Sequence, residues 1–372
     1  MSRYLEILGD GQIWDLQGIA APGSRKTFED LFSGRALGEM AKAEKVFCRF
    51  KEKGKITGLS VTKALLSNNP RAKKEAKIIL EGLAKNGALG IEALTKGRGF
   101  KKNWSSRQKS YWKNIDIVVI GGGVSEGKTG RLLVNLIKRY LSGDGFPKIK
   151  VYQARFPGKE AGVLGAVINI IKLIGKQAKT KGLKTIAGMG LDLGRDDIGV
   201  GLLAIKQQKH YWLFNSSVKT PYKKYLKKFL DSRQDYTKTE RKLGEHIRST
   251  ILKRMRDLII KAQTRAWKLG WVSSDNIGVA VPGCTAPCGS ILNSTDYLPF
   301  FRKKDGFNFS RSLENFLRKK TLHNYQVYII NDGIAAGMAN VYFDFLKTQQ
   351  KKFAFLGVGS GLGGCVGIIK RR

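Results

Sequence analysis

Four clusters of glycine in this chain each follow or lie inside an apolar, β-branched run. This arrangement lets a backbone approach a phosphate group closely. The clusters span Gly121–Gly123, Gly188–Gly201, Gly278–Gly289 and Gly357–Gly367. Core packing alone is a poor explanation for four such units, so the pattern predicts phosphate chemistry.

One of these clusters also satisfies the P-loop pattern G-x-x-x-x-G-K-[ST]. The match runs from Gly122 to Thr129, between a predicted strand and a predicted helix. In this interpretation Lys128 meets the phosphates and Thr129 holds Mg²⁺. A P-loop protein also needs an acid at the end of a nearby strand, and the best candidate, Asp332, lies far along the chain.

Taken together, the four clusters resemble the motifs of the ROK family, which contains glucokinase-like sugar kinases and related repressors. The resemblance covers nearly the whole chain except its basic inserts, and it accounts for four clusters where the P-loop accounts for one. The matching segments are Ile117–Glu126 with Ala154–Ala166 (adenosine-site strand and last helix), Leu191–Gly194 with Ile198–Leu203 (first phosphate hairpin), Ile277–Gly283 with Ile291–Asn293 (sugar-side loop), Asn331–Ala336 (the Asn-Asp pair) and Leu356–Gly364 (second phosphate loop).

These motifs stand in a different order from that of the family. Moving residues 1–180 behind residue 372 restores the family order, with a junction between Val366–Arg372 and Met1–Leu8, which are both predicted strands. The resemblance therefore implies a circularly permuted, two-lobed α/β protein with an actin-like ATPase or ribonuclease H-like fold and a nucleotide cleft between the lobes.

The same resemblance predicts how the chain divides into lobes. Residues 1–158 would form the larger, adenosine-site lobe, completed by residues 337–372. Residues 183–336 would form the smaller lobe, with the first phosphate hairpin and the sugar-side loop. A helix at residues 159–182 would connect the two.

The resemblance implies an ATP- and Mg²⁺-dependent kinase acting on a sugar or sugar-like hydroxyl. Asp332 would be the general base that takes the hydroxyl proton, and Asp192 would hold Mg²⁺ through water. The substrate-binding residues implied are Gly283, Asn293, Asp296, Asn331 and Glu29, and the nucleotide-binding residues are Asp192, Gly194, Arg195, Gly121, Gly122, Gly123, Gly359, Ser360 and Gly361.

Three family features are missing. Arg195 and Asp196 replace the usual Gly-Thr of the first hairpin, the Glu-x-Gly-His sugar motif has no counterpart, and the cysteine-rich zinc loop is absent, so we expect no structural zinc. An Asn-Asp pair after a strand is also typical of a helix N-cap. Two alternatives to the kinase therefore stay open: a catalytically weak ROK-like sensor of a sugar or nucleotide, and a P-loop NTPase.

Strands alternate with helical patterns along the chain, which predicts an α/β fold. Apolar residues recur at helical spacing over Leu132–Leu141 and again over Ile247–Ala266. A length of 372 residues favours two lobes or domains.

The charge is strongly positive, with 68 Lys+Arg against 29 Asp+Glu and a net charge of +39. Such a field favours anionic partners such as nucleotides, phosphate esters or nucleic acid. No helix-turn-helix is recognisable, so we expect only weak, salt-sensitive association with nucleic acid. Two basic stretches that contain aromatics, Lys96–Lys113 and Lys219–Phe229, could grip nucleic acid by charge and stacking. We favour the alternative that both are solvated surface segments.

The four cysteines are too scattered for a disulfide framework, and the first residues lack a signal-peptide pattern. The longest apolar run, Ala161–Ile171, is too short to span a bilayer. We therefore expect a soluble, cytoplasmic protein without a membrane partner, either monomeric or a homodimer.

Overall fold

Contacts between Cα atoms divide the chain into two units. Unit 1 comprises Met1–Gly158 and Asn340–Arg372, and unit 2 comprises Lys159–Ala339. A computed structural model describes residues 3–10, 26–98, 106–143, 148–194, 196–206, 209–220, 238–293, 301, 307–319, 321, 323–345, 351–359 and 362–371.

The described residues form a mixed α/β structure. The strands are β1 (Arg3–Asp10), β2 (Ile117–Gly121), β3 (Lys150–Gln153), β4 (Thr185–Leu193), β5 (Asp197–Lys206), β6 (Lys209–Lys219), β7 (Ser273–Val281), β8 (Cys284–Thr285), β9 (Ile291–Asn293), β10 (Gln326–Asn331), β11 (Lys351–Val358) and β12 (Leu362–Arg371). The α-helices are α1 (Phe28–Leu31), α2 (Gly34–Lys42), α3 (Gly58–Leu66), α4 (Pro70–Thr95), α5 (Ser106–Trp112), α6 (Gly127–Leu141), α7 (Gly158–Asn169), α8 (Ile171–Thr180), α9 (Lys238–Lys268), α10 (Phe309–Arg318) and α11 (Asp332–Phe345).

Unit 1 contains a five-stranded sheet in the order β1-β12-β11-β2-β3. The first three strands are antiparallel neighbours, and β11, β2 and β3 are parallel. Strands β1 and β12 pair so that Arg3 lies opposite Arg371. The strands predicted at both ends of the sequence are therefore confirmed, and they are neighbours in one sheet.

The core of unit 1 fixes the positions of helices α1 and α2. The rings of Phe28 and Phe32 stack with their centroids 5.6 Å apart, and both residues are fully buried. Helix α4 accepts these rings where it has glycine: a Cβ at Gly87 would lie 2.5 Å from the Phe32 ring. This packing sets the position of α1 and of the start of α2.

Unit 2 contains a second five-stranded sheet, in the order β10-β7-β4-β5-β6. Strands β4, β5 and β6 are antiparallel neighbours, and β4, β7 and β10 are parallel. Helix α9 packs its apolar face on this sheet through residues that include Ile251, Met255 and Ile259. The helical periods predicted for Leu132–Leu141 and Ile247–Ala266 are both confirmed, as α6 and α9.

Part of the glycine clustering has a packing explanation. A Cβ at Gly190 or Gly278 would overlap the backbone of α7, and a Cβ at Gly188 would meet Val167 of the same helix. These strand glycines let α7 lie directly on the sheet. The prediction that core packing poorly explains the clusters is therefore wrong for the glycines of β4 and β7.

The observed division of the chain differs in detail from the predicted lobes. Residues 159–182 do not form one connecting helix: α7 ends at Asn169, α8 begins at Ile171, and both segments belong to unit 2 from Lys159 onward. The second boundary falls inside α11, between Ala339 and Asn340. Close packing of α7 on its sheet explains why this segment belongs to unit 2.

No single helix of the described residues is both long and apolar enough to cross a membrane. Helices α7 and α8 pass that test only as a pair, bent by 51°.

Candidate active site

The Asn-Asp pair lies where β10 ends and α11 begins. Asn331 Oδ1 accepts a hydrogen bond from the Ile334 amide at 3.1 Å, so Asn331 caps the helix. Its Nδ2 donates to the Gly283 carbonyl at 3.0 Å and to Asp332 Oδ1 at 3.2 Å. The Gly333 amide also donates to Asp332 Oδ1, at 2.8 Å. The N-cap interpretation thus applies to Asn331, and Asn331 and Gly333 hold the Asp332 carboxylate at the first turn.

Asp192 lies on β4, opposite Gly199 of β5 and Ala280 of β7. Its half-buried side chain packs over Gly162 of helix α7, where a Cβ would lie 2.5 Å from Asp192 Oδ2. Gly162 therefore leaves the space that this carboxylate occupies. The spacing of Gly162 and Gly165 along α7 is the feature of the sequence that could have predicted this close approach.

The charge of Asp332 affects the ionisation of Asp192. Burial, and then the charge of Asp332, raise the pKa of Asp192 to about 8. Desolvation of the carboxylate raises the pKa of Asp332 to about 6, although the residue as a whole is exposed, and its hydrogen bonds from Gly333 and Asn331 oppose the rise. Two neighbouring carboxylates with raised pKa values favour a proton or a cation between them.

This pair fits a hydrated Mg²⁺ better than a fully protein-bound metal. Mg²⁺ keeps several waters and uses only one or two carboxylates together with phosphate oxygens. Within the described residues, no three His, Cys, Asp or Glu side chains form a metal-binding group. Asp192 and Asp332 therefore provide the number of carboxylates that Mg²⁺ uses when a nucleotide and water supply the other ligands.

The other residues predicted for this part of the site lie around the same strand ends. Gly194 closes the turn between β4 and β5, its amide donating to the Asp197 carbonyl at 3.0 Å. Gly283 follows β7 with φ of +100°, which glycine tolerates and other residues rarely adopt, and this turn aims its carbonyl at Asn331. Asn293 ends β9, opposite Cys284 of β8. Arg195 and Asp296 lie outside the described residues.

A second group of predicted residues comes together in unit 1. The Gly34 amide, at the start of α2, donates to the Gly359 carbonyl at 2.7 Å. Glu29 Oε2 accepts a long bond of 3.5 Å from the Leu362 amide, and Glu29 also pairs with Arg35 at 3.1 Å. The start of α2 thus packs on the loop between β11 and β12. Ser360 and Gly361 of this loop lie outside the described residues.

The glycines after β2 join the same loop. A Cβ at Gly122, whose φ is +85°, would lie 2.7 Å from the Val358 backbone, and one at Gly121 would lie 2.5 Å from the Phe355 ring. A Cβ at Gly123 would meet nothing within 4 Å. Gly121 and Gly122 therefore have a packing explanation of their own, because strand β11 occupies the space that a side chain would need there. Gly123 alone faces open space.

The segment that matches the P-loop pattern consists of a 3₁₀ turn followed by the start of helix α6. Gly122 leads into a 3₁₀ turn in which the Ser125 amide and hydroxyl donate to the Gly122 carbonyl at 2.9 and 2.8 Å. Thr129, which would have to reach Mg²⁺, is only 2% exposed. Asp332 directly follows β10, a strand of the sheet in unit 2, whereas β2 belongs to the sheet of unit 1. These features count against a P-loop at Gly122–Thr129.

No protein-family model matches this chain, and no curated protein sequence matches it. The structure itself shows a mixed α/β protein with two five-stranded mixed sheets.

Proposed function

We propose that the protein is an ATP-dependent phosphotransferase that acts on a sugar or sugar-like hydroxyl, with Asp332 as its general base. The observation that carries the proposal is the placement of Asp192 and Asp332 at neighbouring levels of one sheet. Asp192 of β4 pairs with Ala280 of β7, and Asn331, just before Asp332, pairs with the next residue of β7, Val281. Asn331 also ties Asp332 to the Gly283 loop, and the charge of Asp332 raises the pKa of Asp192.

The strand topology supports an actin-like ATPase or ribonuclease H-like fold under this proposal. Both sheets consist of three antiparallel strands followed by two parallel ones, so the order β1-β12-β11-β2-β3 repeats as β6-β5-β4-β7-β10. In unit 2 the strands occur in the order β4, β5, β6, β7, β10 along the chain. Unit 1 follows that order only if β11 and β12 precede β1, which is the permutation that the motif order implies.

Phosphoryl transfer requires an oriented hydroxyl and a base for its proton. A base whose pKa is near 6 is mostly ionised at neutral pH and still basic enough to accept a proton as the hydroxyl attacks. Asn331 and the Gly333 amide fix Asp332 Oδ1, which restricts the direction in which the carboxylate takes the proton.

Asp192 would hold Mg²⁺ through water, and bound Mg²⁺ neutralises charge on the phosphates of ATP. Gly162 supports this role because it leaves room for the carboxylate beside α7.

A phosphorylation screen tests the proposal. The purified protein is incubated with ATP and Mg²⁺ against hexoses, N-acetylhexosamines and polyols, and ADP release is measured with and without each acceptor. We expect one acceptor class to stimulate ADP release. Nucleotide or sugar binding without any acceptor-dependent turnover would favour the sensor alternative instead.

A substitution at Lys128 separates the kinase from the P-loop alternative. Lys128→Ala should leave ATP affinity within about twofold of wild type, because the proposal assigns this lysine no phosphate contact. Loss of ATP binding in a folded Lys128→Ala protein would overturn the proposal in favour of the P-loop.

A further inference from the structure

Helix α9 lies along the outer strand of the sheet in unit 2 and runs opposite to it. The Arg254 guanidinium donates to the Lys219 carbonyl at one end of β6. Lys261 Nζ donates to Ser216 Oγ at 3.0 Å nearer the middle. At the other end, the ring of Trp271, just after the helix, lies 6.5 Å from the ring of Tyr211. One flank of α9 therefore follows β6 along its length.

This flank is basic. Arg254, Lys261 and Lys268 recur at intervals of seven residues, so they share one side of the helix at steps of about 10 Å. Arg265 lies one turn from Lys261 on the same side. Together with Lys209 and Lys219 of β6, these four residues form what we call the basic ridge.

The acidic residues beside the basic ridge are too few to neutralise it. Helix α9 has ten lysines and arginines against three acids. Of the nearby acids, Asp257 pairs with Arg256, and Asp197 pairs with Lys219 at 2.8 Å. Lys209, Lys261, Arg265 and Lys268 therefore dominate the charge towards the Tyr211 end of the ridge.

An aromatic side chain is exposed at that same end. Tyr211 of β6 is 42% exposed and lies on the α9 side of the sheet beside Trp271, whereas the ring of Trp212 packs over Gly201 on the opposite side, against α7. Strand β6 pairs only with β5 among the described strands. A line of cations beside exposed aromatic rings is the combination by which proteins bind single-stranded nucleic acid, the cations following the phosphates and the rings stacking on bases.

We propose that the basic ridge, with Tyr211, binds single-stranded RNA or DNA. Its charge is complementary to a phosphate backbone, and the ring of Tyr211 lies at one end, where it can stack on an unpaired base. An anionic membrane fits less well, because the other exposed side chains of β6, Asn215 and Ser217, are polar and offer no apolar face for insertion. This inference does not depend on the proposed kinase activity.

The basic ridge also differs from the two basic stretches singled out in the sequence. Most of the stretch Lys219–Phe229, and part of Lys96–Lys113, lie outside the described residues. The ridge instead combines residues of α9 with residues of β6. These are far apart in the sequence and lie together only because the helix packs along the strand.

Binding of a fluorescein-labelled oligonucleotide of about 16 thymidines, followed by anisotropy from about 50 to about 200 mM salt, tests the proposal. The double variant Lys261→Glu/Lys268→Glu should weaken binding at least about tenfold. It should also reduce the slope of log K against log salt by about 1.4, the value for two lost phosphate contacts on a single strand. Tyr211→Ala should weaken binding about 5- to 100-fold with the salt slope unchanged.

The matched control is Lys77→Glu/Lys85→Glu, which makes the same charge change at two exposed lysines of helix α4 in unit 1. It should retain most of the affinity. Equal losses in both double variants would show that binding follows overall charge, and would overturn the proposal. Ridge-dependent binding to phosphatidylserine vesicles without binding to the oligonucleotide would overturn it in favour of a membrane surface.

Circular dichroism checks that each variant is folded. If the ridge variants do not fold, ultraviolet crosslinking of the wild-type protein to the same oligonucleotide decides the question. Crosslinks at Tyr211 would support the proposal, and crosslinks confined to other peptides would contradict it.

Discussion

The two sheets have the same strand pattern but carry different chemistry at the same places. In unit 2 the central hairpin, β4–β5, carries Asp192, and the outermost parallel strand, β10, leads into Asp332. In unit 1 the corresponding hairpin, β11–β12, carries Gly357 and Gly359, and strand β3 ends at Gln153. At these two corresponding positions unit 2 thus has carboxylates, whereas unit 1 has backbone glycines and the Gln153 amide.

The strands between these positions behave alike. Strand β2 is followed by Gly122 and β7 by Gly283, each with a positive φ. Gly122 turns the chain against Val358, and Gly283 turns its carbonyl towards Asn331. The same backbone geometry therefore makes a polar contact to Asn331 in unit 2 and close backbone packing in unit 1. Under the proposed function, the proton and cation chemistry would belong to unit 2.

The largest expected effect comes from removing the base. Asp332→Asn should lower acceptor-dependent turnover by about 10²- to 10⁴-fold and leave ATP affinity nearly unchanged. The amide oxygen can still accept from Gly333 and Asn331, so the loop should keep its structure. Steady-state kinetics and calorimetric ATP titration measure the two quantities.

The matched control is Asp257→Asn, an exposed residue on α9 that loses the same charge. It should keep full turnover. Normal turnover in Asp332→Asn would break the assignment of proton chemistry to unit 2.

The next effect concerns the support of Asp192. Gly162→Ala places a methyl group 2.5 Å from Asp192 Oδ2, so the carboxylate must move. We expect Mg²⁺ affinity, measured by the Mg²⁺ dependence of ATP binding, to fall about 10- to 100-fold. Gly175→Ala on α8, where a Cβ meets nothing within 4 Å, is the control and should leave that dependence unchanged. Equal Mg²⁺ dependence in both variants would mean that Asp192 does not serve the cation.

Much of the site was accessible from the sequence because its parts are local. An apolar strand followed by Asn331-Asp332, or a hairpin with Asp192 near its turn, involves neighbouring residues whose backbone preferences determine the turn. The strands at both ends of the sequence were predictable for the same reason, since each is a short apolar run.

The parts that the sequence did not reveal depend on contacts between distant segments. Gly121 and Gly122 follow the same strand-then-glycine rule as a nucleotide loop, yet Phe355 and Val358 occupy the space beside them. The split of residues 159–182 into α7 and α8 depends on how closely α7 can approach β4 and β7. Glycine composition indicates that something lies close to the backbone, but it does not distinguish a ligand from another part of the protein.

A pair of glycine substitutions tests the close backbone packing in unit 1. Gly122→Ala puts a side chain at a φ of +85° and 2.7 Å from the Val358 backbone, so we expect a loss of about 2–4 kcal/mol in unfolding free energy. Gly123→Ala, one residue further along and facing open space, should change it by less than about 0.5 kcal/mol. Chemical denaturation measures both. Similar stabilities for the two variants would show that Gly122 does not join β2 to the β11–β12 loop.

The smallest expected effect is a pH dependence that belongs to unit 2. Asp192 and Asp332 have pKa values of about 8 and about 6 in the folded protein, above the 3.8 of an ordinary aspartate. The folded state therefore binds more protons than the unfolded chain between about pH 4 and pH 8. Without a divalent cation, stability should therefore be highest near pH 4 as far as these two groups are concerned, and should fall as the pH rises through 6 and 8. Because Asp332 keeps contact with solvent, we expect a decrease in melting temperature of only about 2–4 °C. Asp192→Asn should remove most of this decrease. Mg²⁺ with ATP should also oppose it, since the cation replaces the proton that the carboxylate pair otherwise retains. An unchanged pH profile in Asp192→Asn would mean that the two carboxylates do not share a site.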